Sequence, residues 1–157
     1  MKTSFEYQES TLFAVPLEGG SYAIGLVARR SPKGKIIFAY FFDPGSQCIP
    51  NQISLQKITK ESSILRLMCG DLQLHNGTWP IIGHLSPWKR EEWPMPLFYR
   101  EDLLGRERNY VVQYSDDDPA KVVAENLTAC MPHHVLQDSL AGAEAVKVRL
   151  KEILLRK

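Results

Sequence analysis

The chain has 157 residues, which is the usual size of one domain, and we predict a single domain over residues 1–157. With 44% hydrophobic and 24% charged residues, the composition is that of a folded globular protein and excludes an intrinsically disordered chain. The 19 Lys and Arg against 18 Asp and Glu leave a formal charge of +1, which excludes the strongly basic balance of a non-specific nucleic-acid binder.

The first part of the chain predicts an antiparallel meander of three strands over residues 11–42. Residues 11–17 form a short strand, and a Gly-Gly pair after it supplies the positive-φ residues of a tight turn. Residues 22–30 alternate as the second strand. Residues 36–42 (IIFAYFF) have no polar break, which indicates a strand buried on both faces near the centre of the sheet.

The middle of the chain predicts shorter strands and one long loop. Residues 48–63 are polar and irregular, with apolar spacings compatible with one or two helical turns. Residues 64–69 and 72–74 predict further strand, and the Asn-Gly pair that follows is typical of a tight turn. Residues 79–84 form a short strand whose proline places it at a sheet edge or a strand start. Residues 86–96, with three prolines and two tryptophans, predict an ordered surface loop.

A second hairpin is predicted further along the chain. Residues 110–114 alternate cleanly between apolar and polar positions, as a half-buried strand does. The acidic stretch at residues 115–119 then turns the chain. Residues 121–124 return as the second strand of this hairpin.

The end of the chain predicts an amphipathic helix. Apolar residues recur at helical spacing over about residues 139–156, and either Asp138 or Ser139 supplies an N-cap. All the elements together predict a strand-rich α+β fold with its strand core over about residues 11–125. The core is a strongly bent antiparallel sheet or a small SH3-like barrel, closed by the C-terminal helix.

The polar residues do not form a catalytic or metal-binding set. The sequence has no Gly-rich phosphate-binding pattern, and the neighbours His133 and His134 diverge on a strand or a helix, so they do not share a metal. The cysteines Cys48, Cys69 and Cys130 are odd in number and widely spaced, so they fit neither a disulfide framework nor a zinc signature. We expect them to be small buried hydrophobes. We therefore predict that the protein is not an enzyme and that it binds neither a cofactor nor a metal ion.

No segment of the sequence indicates a membrane. The N-terminal residues lack the apolar stretch of a signal peptide. No run approaches the roughly 20 apolar residues that a membrane-spanning helix needs. We therefore expect no membrane contact and a cytoplasmic location.

Aromatic and acidic residues in two loops are the candidates for a partner-binding surface. Aromatic side chains dominate interface hot spots, although they also close cores under long loops. Acidic clusters that face a basic partner raise its association rate and specificity, whereas a solvated turn is the alternative. The candidate residues are Trp88, Glu91, Glu92, Trp93, Asp116, Asp117 and Asp118.

A second hypothesis from another class is a small-barrel nucleic-acid binder. It uses the cations of one hairpin, and it predicts salt-dependent binding to DNA or RNA. A solvated hairpin tip is the alternative explanation, and the matching count of acidic residues elsewhere favours it. The cations are Arg29, Arg30, Lys33 and Lys35.

Four segments of the chain stand in the order found in one known family. They are FAVPL at residues 13–17, YAIGLV at residues 22–27, GTWPIIG at residues 77–83 and PLFY at residues 96–99. Over about residues 11–140 the chain resembles the immunity protein 26 family. The resemblance implies a bacterial immunity protein of a polymorphic toxin system, which neutralises a cognate toxin by binding it. It supplies no established toxin-contacting residues.

Overall fold

The computed structural model describes residues 7–43, 58–101, 109–128, 136–137 and 140–155. These residues form ten strands and two α-helices. In chain order the elements are β1 (Thr11–Pro16), β2 (Tyr22–Arg30), β3 (Ile36–Phe42), β4 (Leu65–Gly70), α1 (Leu72–Asn76), β5 (Ile81–His84), β6 (Phe98–Glu101), β7 (Asn109–Ser115), β8 (Asp118–Thr128), β9 (Leu136–Gln137), β10 (Leu140–Ala141) and α2 (Ala143–Leu155).

The described strands form two sheets. The first has the order β10-β4-β3-β2-β1-β5 and the second has the order β8-β7-β6-β9. Neighbouring strands are antiparallel, except that β10 runs parallel to β4 and β9 runs parallel to β6. The predicted meander is confirmed as β1, β2 and β3, and β3 is an inner, almost wholly buried strand as its apolar run predicted. The predicted edge strand is β5, and the second predicted hairpin is β7 with β8.

The first sheet lies between α2 and the second sheet. Alternate residues of its strands point to opposite faces, so each strand contributes side chains to both sides. On one face Phe13 belongs to the same apolar cluster as Val146 of α2. On the other face Phe38 packs edge-on against Phe98 of the second sheet, with ring centroids 5.9 Å apart. The strand-rich α+β class with a C-terminal helix is therefore confirmed, and the described strands form two layered sheets and no closed barrel.

Phe13 requires a glycine on the neighbouring strand. Its ring stacks on Trp79 with centroids 5.3 Å apart and meets Phe41 edge-on at 5.9 Å. Gly25 lies opposite Phe13 in the ladder between β1 and β2. A Cβ added at Gly25 would lie 2.1 Å from Cζ of Phe13, so only glycine leaves room for this ring.

The prediction of a strand at residues 72–74 is wrong, because these residues begin α1. The amides of Leu74 and His75 donate to the carbonyl oxygen of Asp71 at 3.0 and 3.2 Å. Gly77, with a φ of 81°, ends the helix in the left-handed region that favours glycine. The helical turn directs Leu74 into the core, where it is fully buried. A three-residue alternation fits either period, and burial of Leu74 decides between them.

The C-terminal helix begins later than predicted. Leu140–Ala141 pair with β4 as β10, so α2 begins at Ala143. Val146 and Leu150 are fully buried, as the predicted amphipathic pattern requires. The predicted N-cap residues, at positions 138 and 139, lie outside the described residues.

Candidate partner-binding surface

The loop between β5 and β6 carries the aromatic part of the predicted surface. Trp93 is only 3% exposed and packs edge-on against Tyr40 and Phe42, with centroids 5.0 and 5.9 Å away. Trp88 is half-buried and stacks on Trp93 at 6.4 Å, with 13° between the rings. The hydroxyl of Tyr40 donates to the carbonyl oxygen of Pro94 at 2.7 Å. Trp93 therefore anchors the loop in the core, and Trp88 keeps part of its area at the surface.

Asp116 joins two arginines. Its Oδ1 accepts a hydrogen bond from Nε of Arg29 at 2.9 Å, and its Oδ2 accepts one from Nη1 of Arg90 at 2.7 Å. Arg90 also donates to the backbone oxygen of Asp116, and its Nε donates to Glu9 at 2.8 Å. The Arg29 side chain is 3% exposed. A cation buried in the first sheet is thus compensated by a carboxylate from the second.

The remaining acidic candidates face solvent more freely. The Asp117 side chain is 91% exposed, and its Oδ1 lies 3.3 Å from Nη2 of Arg90. Glu91 and Glu92 are exposed in a short 3-10 turn, Arg90–Glu92, next to Trp93. Asp118 is half-buried and accepts a hydrogen bond from the amide of Ala120 at 2.9 Å. Because Arg90 contacts both Asp116 and Asp117, it links the two predicted clusters.

Sequence reasoning missed Arg90 and Glu9 as parts of this region. The available signal was Arg29, a cation that directly follows the apolar residues of β2, since a charge that is buried requires a partner. A buried arginine indicates that a carboxylate lies nearby, but it does not say which of the 18 acidic residues supplies that carboxylate.

The basic hairpin of the nucleic-acid hypothesis does not form one patch. Arg29 is buried and paired with Asp116, whereas Lys33 and Lys35 are exposed in the turn between β2 and β3. Arg30 is exposed, and its Nη1 donates to the carbonyl oxygen of Tyr7 at 2.7 Å. One of the four cations is therefore removed from any nucleic-acid surface.

An open groove of about 690 Å³ adjoins the loop. Trp93 and Glu92 lie on one side, and the 3-10 turn Lys60–Ser62 lies on the other. This turn is the described part of the predicted helical region, and residues 48–57 lie outside the described residues. Lys60 and Lys89 balance Glu61 and Glu92 around the groove, so it favours neither sign of charge.

A second polar cluster surrounds Asp71 on the α2 side of the first sheet. Its Oδ2 accepts hydrogen bonds from the Tyr7 hydroxyl and from the Lys35 amide at 2.9 Å, and Nε2 of His75 also lies 2.9 Å away. Burial alone would raise the pKa of Asp71, but the bonds from Tyr7, Lys35 and His75 together lower it. Burial, reinforced by Asp71, raises the pKa of Tyr7. The Asp71 carboxylate therefore links Tyr7 to the β2–β3 turn and to α1.

Cys69 offers no reactive thiol beside this cluster. The side chain is fully buried in β4. Burial, with a smaller contribution from Asp71, raises the pKa of the Cys69 thiol to about 12. The nucleophilic thiolate is therefore disfavoured at neutral pH, as expected for a structural cysteine.

The described residues hold neither a cluster of metal ligands nor a membrane-spanning helix. No group of three or more His, Cys, Asp or Glu residues lies close enough to hold a metal ion within the described ranges. In those same parts of the chain, no helix has both the length and the apolar character to cross a membrane.

Comparison with protein-family models matched Immunity protein 26 over residues 9–109. The match covers more than half of the chain, so the chain belongs to the immunity protein 26 family, as the sequence motifs predicted. It includes β1 to β6 and the loop with Trp88 and Trp93, and it ends at Asn109, the first residue of β7. Neither the curated proteins nor the solved structures gave a match.

Proposed function

We propose that this protein is the immunity protein of a bacterial polymorphic toxin system, and that it binds and neutralises a cognate toxin in the cytoplasm of the producing cell. The observation that carries the proposal is its membership of the immunity protein 26 family over residues 9–109. Such a protein acts by covering or distorting the toxin. It needs no chemistry of its own, so we propose that it is not an enzyme and takes no cofactor.

The proposed toxin-binding surface is the region that Arg90 links. Its outer contacts are the exposed side chains of Glu91, Glu92 and Asp117, together with the partly exposed Trp88. A cluster of carboxylates favours a basic toxin surface and raises the association rate through electrostatic steering. A partly exposed aromatic ring among them supplies the rigid apolar area typical of a hot spot.

The other members of the predicted set support this surface from beneath. Trp93 is buried under Trp88, and Asp116 holds Arg90, so both act on a partner through their neighbours. Asp118 holds the turn through its bond to the Ala120 amide. A surface that is ordered before binding loses less conformational entropy when the partner arrives.

Co-expression with the toxin encoded beside its gene tests the proposal. We expect host survival only when both genes are expressed, together with co-purification of a stable complex. The absence of both rescue and complex would reject neutralisation of that toxin. Retention of the free protein on DNA or RNA in a salt-sensitive manner would then favour the nucleic-acid hypothesis.

Charge reversal tests the position of the surface. Asp117→Lys should slow association with the toxin, and Trp88→Ala should weaken affinity about tenfold or more, the scale of a hot-spot truncation. The matched control is Glu152→Lys, which reverses an exposed charge on α2 and should leave affinity unchanged. Full protection and unchanged affinity in both loop variants would place the toxin elsewhere on the protein.

A further inference from the structure

Glu9 connects the segment before β1 to the loop between β5 and β6. Its Oε1 accepts a hydrogen bond from Nε of Arg90 at 2.8 Å, across 81 positions of the chain. The two side chains are 29% and 32% exposed, so the ion pair is partly shielded from solvent and from screening by salt. The loop that carries the proposed toxin contacts is therefore held by a residue from a distant part of the sequence.

The backbone beside Glu9 is fixed by its neighbour Ser10. Ser10 is buried, and its φ of 85° lies in the left-handed region that residues other than glycine rarely adopt. Its amide donates to the carbonyl oxygen of Val27 at 2.9 Å, and its own carbonyl oxygen accepts a hydrogen bond from the amide of Leu85 at 2.8 Å. These bonds join the segment to β2 and to the residue that follows β5. Glu9 therefore reaches Arg90 from a fixed stretch of backbone.

The bond to Glu9 sets the orientation of the Arg90 guanidinium. Nε donates to Glu9, whereas Nη1 donates to Oδ2 of Asp116 and Nη2 to its backbone oxygen. Nη2 also lies 3.3 Å from Oδ1 of Asp117. The guanidinium is planar and presents its N–H donors in a rigid fork, so an acceptor at Nε directs both Nη atoms toward the turn. Without that acceptor the group is free to rotate about the bonds of its side chain.

We propose that Glu9 is a positioning residue for toxin binding, and that it acts through Arg90. It keeps the turn with Asp117 beside the loop that carries Trp88 and Glu91. The toxin then meets these side chains as one ordered surface, which costs less conformational entropy than ordering them on binding. This inference rests on the proposed function and adds to it a residue from outside the two candidate loops.

Glu9 also sets the charge of this ion-pair network. In the described part of the chain, the network contains three carboxylates and two guanidinium groups, which leaves one negative charge. Its members are Glu9, Asp116, Asp117, Arg29 and Arg90. Without Glu9 the charges of the network cancel. The excess negative charge favours a cationic group on the toxin and raises the association rate.

Two substitutions separate the position of Arg90 from the charge of Glu9. Glu9→Ala removes both the acceptor and the charge, whereas Glu9→Gln keeps an oxygen that accepts the bond from Nε of Arg90. Biolayer interferometry with the purified toxin encoded beside the gene measures both rate constants. We expect Glu9→Ala to raise the dissociation rate constant at least about threefold, the scale of coupling within a connected network of side chains. Glu9→Gln should slow association at low salt and leave the dissociation rate constant within about twofold of the wild type.

A double-mutant cycle tests whether Glu9 acts through Arg90. In a chain that already carries Arg90→Ala, Glu9→Ala should leave the dissociation rate constant unchanged, because the group that Glu9 positions is absent. The matched control is Glu18→Ala, which removes a glutamate that pairs with Lys151 of α2 at 2.7 Å. This control should keep both rate constants of the wild type. Circular dichroism spectra that match the wild type establish that the variants are folded.

The outcomes separate this inference from the proposed function. Equal dissociation rate constants for the wild type and Glu9→Ala overturn the inference alone. Equal increases for Glu9→Ala and Glu9→Gln also overturn it, because they assign the effect to charge and not to position. An effect of Glu9→Ala that persists without Arg90 overturns it too, since Glu9 would then contact the toxin directly. A wild type that does not bind the toxin rejects the proposed function, and the inference with it.

Discussion

The carboxylate of Asp116, in the turn between β7 and β8, lies 2.9 Å from Nε of Arg29, which is buried in β2. The two side chains belong to different sheets, so this ion pair helps fix the second sheet on the first. Arg29 also donates to the carbonyl oxygen of Ala28 at 2.7 Å. The buried cation is stable only while both partners remain, because an uncompensated buried charge is strongly destabilising.

Loss of the Asp116 carboxylate should destabilise the fold. We expect Asp116→Ala to lower the free energy of unfolding by about 1–3 kcal/mol, which lies between the values for exposed and buried pairs because Asp116 itself is half-exposed. Urea unfolding measures the change. Asp117→Ala, at the exposed neighbour, should change the free energy by less than about 0.5 kcal/mol. Equal midpoints for the two variants would contradict a structural role for Asp116.

A side chain at Gly25 should displace the ring of Phe13. We expect Gly25→Ala to cost about 1–3 kcal/mol or more, the usual penalty of overpacking, because the added Cβ would lie 2.1 Å from Cζ of Phe13. Gly142→Ala is the matched control, since an added Cβ there meets no atom within 4 Å. Thermal unfolding compares the two, and an unchanged midpoint for Gly25→Ala would show that Phe13 has another position available.

Acidification should remove the contribution of Asp71. Its pKa in the folded protein is lower than that of an unfolded Asp, near 4, so its contribution to stability is complete above about pH 4 and is lost as the pH falls through the folded value. Urea unfolding between pH 6 and acidic pH should show a shallower decline for Asp71→Asn than for the wild type. Parallel declines would mean that other carboxylates cause the acid sensitivity.

Cys69 should be protected from thiol reagents. In a chain carrying Cys48→Ser and Cys130→Ser, we expect labelling at pH 8 to proceed only as fast as the protein opens, because Cys69 is buried and its pKa is raised to about 12. Absorbance of a released aromatic thiolate follows the reaction. Labelling in urea should be fast, and fast labelling of the native protein would show that β4 opens locally.

Local patterns were sufficient for the elements in which neighbouring residues decide the structure. The uninterrupted apolar run at Ile36–Phe42 predicted the inner position of β3, and the spacing of Val146 and Leu150 predicted the buried face of α2. These features depend on periodicity and burial within one segment. The same reasoning failed at α1, where three residues were too few to separate a strand from a helical turn.

The candidate surface was predicted only as separate groups. Sequence position marked the tryptophans of one loop and the acids of one turn, but Arg29 and Asp116 are 87 positions apart. Pairing at that distance depends on how the two sheets are stacked, which no short pattern contains. For the same reason the sequence did not predict that both carboxylate oxygens of Asp116, a candidate partner contact, bind arginines.

Arg90 gives the proposed surface a thermodynamic link to the rest of the protein. A toxin cation that approaches Asp117 competes with the guanidinium of Arg90, which also binds Glu9 and Asp116. If the toxin binds at the proposed surface, recognition and the association of the two sheets therefore depend on the same contacts. A bound toxin should alter amide hydrogen exchange in β2, behind Arg29, as well as in the turn that it touches.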